Sequence, residues 1–214
     1  MIISRVMTKN PVYIHPDMTI NEARSLMDKQ KIGHLPVLNK NNELVGIVTK
    51  EDLIKASPTV ATTLDVFEIS YLLSKITVKD IMEKKVFTVD ESEVVDEAAR
   101  IMADNSIGCL PVMRDKLLVG IITDTDIFHV FINAFGTRRP GLRITLDIPD
   151  EPGQLAKLSR AIADKKGNVA SFVTSDWEDN SNRCLATLKV ADISREDVEA
   201  ILKGFDDIKL EDLR

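Results

Sequence analysis

Two nearly identical stretches decide the fold of this chain: GIVTKEDL at residues 46–53 and GIITDTDI at residues 120–127. In each stretch an apolar run ends at a Thr, and an Asp follows three residues later. This spacing predicts a strand that leads directly into a helix, with the Thr as N-cap and the Asp at position N3 of a capping box. Because the motif occurs twice, the flanking sequence must be searched for a larger repeat.

The sequence before each motif is repeated as well. RVMTKNPVYIHPDMTINEARSLMDKQKIGHLPV, from Arg5, aligns with DIMEKKVFTVDESEVVDEAARIMADNSIGCLPV, from Asp80, so that Met7 falls on Met82. The register then shifts by one residue in the polar stretch NKNNE, which corresponds to RDK in the second copy. A single deletion at a polar hairpin tip, with both flanks in register, indicates two copies of one fold.

Each copy predicts the order strand, helix, strand, strand, helix. Apolar residues recur at helical spacing over 19–32 and 94–107, and we expect Gly33 and Gly108 to end these helices. A unit of about 50 to 60 residues is too small to cover both faces of its sheet. We therefore expect the two units to pack against each other as a pseudo-twofold pair.

The rest of the chain predicts a bracing helix and a third domain. The helix follows Pro58, and one of its faces carries Leu64, Phe67, Tyr71 and Leu72. GTRRPG, at 136–141, has the composition of a linker, and the residues after it predict strand, helix, strand, strand, helix, strand. That order is typical of a ferredoxin-like βαββαβ domain. The predicted α+β fold therefore has its boundaries at 1–76, with the bracing helix, 77–135, 136–141 and 142–214.

Composition excludes several classes of function. A net charge of -6 and 44% hydrophobic residues are typical of a globular protein without a nucleic-acid surface. No apolar run is long enough to span a bilayer and the first residues do not form a signal peptide, so we expect a cytoplasmic protein without membrane contact. The two cysteines and three histidines show no metal-ligand spacing, and no catalytic combination occurs. We expect no metal, no cofactor and no enzymatic activity.

The repeated Thr and Asp allow two interpretations. A capping box explains each pair by itself, and such boxes are common. A helix N-terminus also binds phosphate through its free N–H groups, and a carboxylate beside it can accept hydrogen bonds from a ribose. Pro36 and Pro111 should lie at sheet edges, where backbone groups are left free for a ligand. Because the arrangement occurs twice, we favour a nucleotide-binding cleft.

GHLPV with GIVTKED, repeated as GCLPV with GIITDTD, resembles the tandem CBS domain pair, a regulatory module that binds AMP, ATP or S-adenosylmethionine. The resemblance implies that Thr49 and Thr123 contact phosphate and that Asp52 and Asp126 contact ribose. Lys50, beside the first Thr, joins this set. The resemblance places the adenine among the remaining candidates: Val12, Tyr13, His34, Leu35, Pro36, Phe87, Thr88, Cys109, Leu110 and Pro111.

DEPGQL, at 150–155, is similar to the turn of ACT domains, which pair through their sheets and in some cases bind amino acids there. This implies a candidate amino-acid site formed by Asp150, Pro152, Gly153, Gln154 and Leu155. The order CBS, CBS, ACT resembles the bacterial acetoin-utilisation family. That resemblance implies a homodimer that senses an adenosyl ligand, with a target protein and a link to acetoin catabolism as further expectations.

The two motifs differ at one informative position. Lys50 follows the first Thr, whereas Asp124 follows the second, and a carboxylate there would repel phosphate. We expect the first cleft to prefer phosphorylated ligands and the second to bind adenosine-like or uncharged groups, or to remain empty. Two main functions stay open: an adenosyl-ligand sensor, and an assembly or amino-acid-binding module in which the CBS pair is a scaffold. An enzyme acting on nucleotides is a third possibility.

Overall fold

The computed structural model describes residues 1–56, 75–176 and 182–214. The bracing helix predicted between the repeats lies outside these residues. The chain divides into two compact units, Met1–Ile127 and Phe128–Arg214. The domain boundaries given above remain a prediction.

Both repeats contain the predicted helices and hairpins. After a 3-10 turn at Ile3–Arg5, the first repeat consists of β1 (Thr8–Lys9), α1 (Ile20–Gln30), β2 (His34–Leu38), β3 (Leu44–Thr49) and α2 (Lys50–Lys55). The second consists of α3 (Val78–Ile81), β4 (Val89–Asp90), α4 (Val95–Asn105), β5 (Cys109–Arg114), β6 (Leu117–Thr123) and α5 (Asp124–Ala134).

The two repeats exchange their opening segments, which are residues 1–13 in the first and 76–88 in the second. Thr8 of β1 pairs with Ile121 of β6, so the start of the first repeat joins the sheet of the second, in the order β1-β6-β5-β4. At the equivalent place, Glu83 forms an isolated bridge with Ile47 of β3. Each repeat is therefore completed by the first residues of the other.

The buried faces follow the predicted periodicity. In the first repeat, helix α1 buries Ile20, Ala23 and Met27 against strands β2 and β3. At equivalent positions, helix α4 buries Val95, Ala98 and Met102. Apolar side chains at helical spacing thus cover one face of each small sheet.

Three details of the predicted repeat were wrong. Helices α1 and α4 end before the glycines, because Lys31 and Ser106 already adopt the left-handed conformation that closes each helix. The extended piece PVYIH contributes only one isolated bridge, between Ile14 and Val37. Pro111 does not lie on an edge strand, since β5 has β4 on one side and β6 on the other.

The second unit has the predicted ferredoxin-like order. Its elements are β7 (Leu142–Pro149), α6 (Gln154–Asp164), β8 (Asn168–Asp176), β9 (Arg183–Ala191), α7 (Arg195–Leu202) and β10 (Lys209–Leu213). The strands form one antiparallel sheet in the order β10-β7-β9-β8. Alternate residues of β7 (Ile144, Leu146, Ile148) and of β9 pack against Leu158 and Val198 of the two helices. The α+β prediction is confirmed.

Within the described part of the chain, no helix combines the length and the apolar character that crossing a membrane requires.

Candidate functional site

Two cavities lie in the unit Met1–Ile127, and each contains one of the Thr and Asp pairs. Cleft 1 has a volume of about 590 Å³, and its lining includes Thr49, Lys50, Asp52, Glu83, Lys85 and Phe87. Cleft 2 has a volume of about 490 Å³, and its lining includes Thr8, Pro11, Val12, Thr123, Asp124 and Asp126. Both volumes fall in the range of small-molecule sites, roughly 300 to 1,000 Å³.

The exchange of opening segments builds both clefts. One wall of cleft 1 is the end of β3 and the start of α2, and the opposite wall is Glu83 to Phe87 from the second repeat. In cleft 2, the end of β6 and the start of α5 face Thr8 to Val12 from the first repeat. A ligand in either cleft would therefore contact both repeats at once.

The first glycine of each motif allows the opening segment of the other repeat to pack closely against the strand that carries the motif. A Cβ atom on Gly46 would lie 2.6 Å from Sδ of Met82 and 3.1 Å from the carbonyl oxygen of Glu83. Gly120 is in the same close contact with Met7. The first residue of each repeated motif, Gly46 or Gly120, is thus small because a methionine of the other repeat packs on it.

The capping boxes are present at both helix starts. The Thr49 hydroxyl donates to Oδ2 of Asp52 at 2.7 Å, the Thr49 N–H donates to the same oxygen at 2.8 Å, and the Asp52 N–H donates back to the hydroxyl at 3.2 Å. Thr123 and Asp126 repeat these bonds at 2.8, 2.9 and 3.3 Å. The two interpretations of the motif are compatible, because each cap occupies only one carboxylate oxygen and the other can accept from a ligand.

The backbone at the helix starts is the same in both clefts, whereas the charge is not. The Lys50 N–H donates to the Gly33 carbonyl and the Asp124 N–H donates to the Gly108 carbonyl, both at 3.0 Å. The Asp124 carboxylate accepts from the N–H of Thr125 at 2.6 Å and so lies against the start of α5. A negative side chain there occupies the place where a phosphate would bind.

Other charged residues also line both clefts. Cleft 1 is lined by three lysines, Lys50, Lys55 and Lys85, and by three carboxylates. Lys55 is paired with Glu51 at 3.0 Å, and the Lys85 ammonium lies 5.8 Å from the centre of the Phe87 ring. Lys31 is the one lysine in the lining of cleft 2. With three lysines and three carboxylates, the lining of cleft 1 has no net charge, whereas one lysine and two carboxylates leave cleft 2 with a net charge of -1, so the residue at the helix start is what favours an anionic ligand in cleft 1.

The lining of cleft 1 also includes two titratable side chains with shifted pKa values, His34 and Cys109. Burial lowers the pKa of His34, while Asp124 and Asp52 oppose this shift. Burial, with a smaller contribution from Asp124, raises the pKa of the Cys109 thiol to about 12. The thiol is therefore protonated near neutral pH and is a packing group rather than a nucleophile.

The structure brings most of the predicted residues into the clefts, but not all. Cleft 1 collects Thr49, Lys50, Asp52, Phe87 and Cys109, cleft 2 collects Val12, Thr123 and Asp126, and His34 lines both. The other predicted adenine contacts are not in either lining: Leu35 and Leu110 are fully buried, Thr88 faces a different groove, and Tyr13, Pro36 and Pro111 are absent from both.

Sequence reasoning missed Lys31, Lys55, Glu83 and Lys85. Glu83 and Lys85 precede the repeated strand and enter cleft 1 only through the exchange of segments. Lys55 could have been predicted, because it lies on the helix that begins at the motif. No feature of the aligned repeats indicated that their opening segments are exchanged.

The turn predicted to bind amino acids lies at the start of α6. Gly153 is the N-cap, with φ of 96°, and no side chain caps this helix. Gln154 is 3% exposed, and its amide nitrogen donates to Asp207 at 3.1 Å. Its buried Oε1 has no hydrogen-bond partner in the parts of the chain that the structure describes. Leu155 is half exposed beside it.

The fold defines a class of protein with two repeated α/β units, each helix start opening into a cleft, and a ferredoxin-like domain, and comparison with known proteins agrees. The chain belongs to the CBS domain family, whose model matches residues 3–59 and 78–133. Residues 140–211 match the model of the TTHA0829-like ACT domain. The predicted arrangement of tandem CBS domains and a C-terminal ACT-like domain is thereby confirmed.

Among curated proteins, the chain is 32% identical over 131 residues to L-aspartate semialdehyde sulfurtransferase of Methanocaldococcus jannaschii, which covers 61% of this chain and 23% of that protein. It is 30% identical over 155 residues to the uncharacterized protein MJ1426 of the same organism, covering 62% of this chain and 92% of that protein. The chain thus spans about a quarter of the first relative and most of the second.

Three solved structures resemble the CBS part. One is the CBS domain pair of protein MJ0100 in complex with 5′-methylthioadenosine and S-adenosyl-L-methionine (TM-score 0.52, 31% identity, 65% of this chain and 98% of that one). Another is a putative acetoin utilization protein of Vibrio cholerae (TM-score 0.53, 32% identity, 64% of this chain and 95% of that one). The third is CBSX2 in complex with AMP (TM-score 0.50, 28% identity, 64% of this chain and 98% of that one).

Proposed function

We propose that this protein is a non-catalytic sensor of an adenosyl ligand, which binds between the two CBS repeats. The observation that carries the proposal is the pair of clefts, each of which joins a capped helix start of one repeat to the opening segment of the other. A ligand that bridges both repeats favours one arrangement of them, and this is the differential affinity that a regulatory change requires. The complexes of related CBS pairs with AMP and with S-adenosylmethionine support the choice of ligand.

We further propose that the clefts differ in preference. Cleft 1 takes a phosphorylated ligand such as AMP, ADP or ATP, with Thr49 and Lys50 at the phosphate and Asp52 at the ribose. Cleft 2 takes an adenosine-like ligand on Asp126, because Asp124 repels phosphate at the helix start. The predicted adenine contacts Val12, His34, Phe87 and Cys109 support this orientation through their positions in the linings.

Calorimetric titration of ATP into the Asp52→Ala and Asp126→Ala variants tests the assignment. Each variant loses one capping box, so the two changes are matched in their cost to the fold. We expect Asp52→Ala to weaken ATP binding much more than Asp126→Ala. An equal loss of ATP affinity in both variants would contradict the proposed difference, and an absence of heat with AMP, ATP and S-adenosylmethionine in the unchanged protein would contradict the sensor itself.

The signal is proposed to pass to the ACT domain or to a partner protein, and a role in acetoin catabolism is part of this proposal. The resemblance to the putative acetoin utilization protein of Vibrio cholerae supports that role. A deletion strain grown on acetoin would test it, with growth on glucose as control. Unimpaired growth on acetoin would contradict it.

A homodimer is proposed as the working assembly. Ile54 and Phe128 occupy equivalent positions on α2 and α5, and their side chains are 69% and 63% exposed. The proposal requires that these side chains belong to one contiguous apolar patch, because such patches mark interfaces. Light scattering after gel filtration should give twice the mass of the chain, and Phe128→Glu should reduce it; a monomeric unchanged protein would contradict the proposal.

The second candidate function is amino-acid binding by the ACT domain, with the CBS pair as a scaffold. The unpartnered Oε1 of Gln154 favours it, because a ligand ammonium could supply the missing donor. Thermal shift with a panel of amino acids tests this candidate, since ligand at 100 times its dissociation constant stabilises by about 2.7 kcal/mol. Stabilisation by an amino acid that is lost in Gln154→Leu would support it, and no stabilisation by any of them would exclude it.

A further inference from the structure

His34 is the side chain that stands in both clefts. It is the first residue of β2, pairs with Thr49 across the hairpin, and is half-buried. It belongs to the lining of cleft 1 together with Asp52, and to the lining of cleft 2 together with Asp124. His34, with the neighbouring Gly33, is therefore shared by the linings of both cavities.

The second repeat does not reproduce this arrangement. Cys109 takes the place of His34 in the alignment, and it pairs with Thr123 as His34 pairs with Thr49. Cys109 lines cleft 1 but is absent from the lining of cleft 2. A short thiol thus stands where the first repeat has a ring, and the residues shared by the two linings come from one repeat.

The ring is close to the groups that distinguish the clefts. The point where a Cβ atom on Gly108 would lie is 3.6 Å from Nε2 of His34 and 3.4 Å from a carboxylate oxygen of Asp124. Asp52 acts on the ring from the side of cleft 1. Among residues 1–56, 75–176 and 182–214, no hydrogen-bond partner of the imidazole is found, so its ring nitrogens can turn to a ligand.

A neutral imidazole carries one N–H donor. Burial lowers the pKa of His34 and so favours this neutral form near pH 7. Because it has one donor and one ring position, the side chain can donate to a ligand in one cleft at a time, and its other nitrogen can only accept. A ligand that fixes the ring toward cleft 1 removes a contact from cleft 2, and the reverse holds as well.

We propose that His34 couples the two clefts, so that a ligand bound in one weakens binding in the other. This rests on the proposed function, since it requires that both clefts bind adenosyl groups. The coupling is reciprocal, as any linkage between two binding sites must be. His34 is in this sense a positioning residue shared by two sites, and the chain behaves as a sensor that reports which of two ligands is in excess.

The test is titration of ATP by calorimetry at increasing fixed concentrations of adenosine. In the unchanged protein we expect the ATP dissociation constant to rise about tenfold and then level off, which is a typical size for coupling between sites. Levelling off distinguishes coupling from displacement of ATP by adenosine in one cleft, where the rise continues without limit. In His34→Ala, adenosine should no longer raise the ATP dissociation constant, while ATP still binds.

His129→Ala is the matched control, because it removes an exposed imidazole that is in the lining of neither cleft, and it should keep the tenfold plateau. A plateau of the same height in His34→Ala, an unlimited rise in the unchanged protein, or no effect of adenosine when both ligands bind would overturn the coupling and leave the sensor intact. If neither ligand produces heat in the unchanged protein, the proposed function fails and the coupling with it. His34→Asn, which keeps a donor but shortens the side chain, checks that a loss in His34→Ala is not general misfolding.

Discussion

The two CBS repeats share a backbone and differ in chemistry. Strand pairing, capping boxes and glycine contacts recur at equivalent positions of both repeats. The clefts nevertheless differ in the residue at the helix start, Lys50 or Asp124, and in the residue that begins the first strand of each hairpin, His34 or Cys109. Duplication thus preserves what folding requires, while the positions that line the clefts are free to diverge.

Exchanging the charges at the helix starts should have the largest effect. Lys50→Asp places a carboxylate at cleft 1, and we expect ATP binding there to weaken by about 2 to 3 kcal/mol, a typical value for a hydrogen bond to a charged group. Asp124→Lys should create ATP binding in cleft 2. Calorimetry of the two variants and of the double exchange would measure both changes.

The double exchange is the control for general damage, because the net charge of the chain is unchanged. It should bind ATP with an affinity close to that of the unchanged protein, with the preferred cleft reversed. If Lys50→Asp leaves ATP binding as it was, charge at this position does not distinguish the clefts.

The next largest effect concerns what the repeats share. Gly46→Ala would bring a Cβ against Met82 and the backbone of Glu83, and we expect a loss of about 1 to 2 kcal/mol in the free energy of unfolding from overpacking. Gly120→Ala should cost a similar amount against Met7. Urea denaturation measures both losses.

Gly33→Ala is the matched control, because nothing lies within 4 Å of the Cβ it would introduce. It should leave the free energy of unfolding almost unchanged. If Gly46→Ala is equally harmless, the close packing of the exchanged segments does not contribute to stability.

The capping boxes should contribute less to the free energy of unfolding than the glycine contacts do. Thr49→Ala and Thr123→Ala each remove one side-chain cap, a change that typically costs about 1 kcal/mol. We expect nearly equal losses of unfolding free energy in the absence of ligand, because the hydrogen-bond distances of the two boxes agree closely. Thr49→Ser, which keeps the hydroxyl, should restore most of the loss; a loss as large as that of Thr49→Ala would argue against the cap.

Much of this architecture could be predicted from the sequence, because a repeat is visible without knowledge of any contact. Periodicity located the helices, and the position of the Thr and Asp located both caps. The exchange of opening segments could not be predicted, since a pattern within one repeat does not tell which sheet a short segment joins. Glu83 and Lys85 were missed for that reason.

Leu35 and Leu110 were predicted to contact the ligand but lie in neither lining, and the reason differs from the one that applies to Glu83 and Lys85. In a strand with one buried face, successive side chains point to opposite sides, so a motif such as HLPV cannot contribute every residue to one cavity. His34 and Cys109 face the cavity, while the leucines after them are fully buried. Alternation along each strand thus accounts for the two leucines, but not for Pro36 and Pro111, which follow His34 and Cys109 by two residues and line neither cleft.

The smallest predicted effect concerns pH and again separates the two repeats. Burial lowers the pKa of folded His34 below the ordinary value of 6.5, although Asp124 and Asp52 oppose the shift. The unfolded chain therefore binds the proton more readily, so the contribution of His34 to stability is complete above pH 6.5 and declines as the pH falls below it. The second repeat has no counterpart, since Cys109 remains protonated over this range.

Replacing His34 by Gln should flatten the loss of stability between about pH 7.5 and pH 5.5, as measured by urea denaturation at each pH. His129→Gln gives the matched comparison for an exposed imidazole on α5, and it corrects for the acidic groups that titrate in both proteins. A steeper fall in His34→Gln than in the unchanged protein would mean that Asp52 and Asp124 outweigh burial. The ring would then be a charged partner of both carboxylates, and the argument that it has a single donor for two clefts would no longer hold.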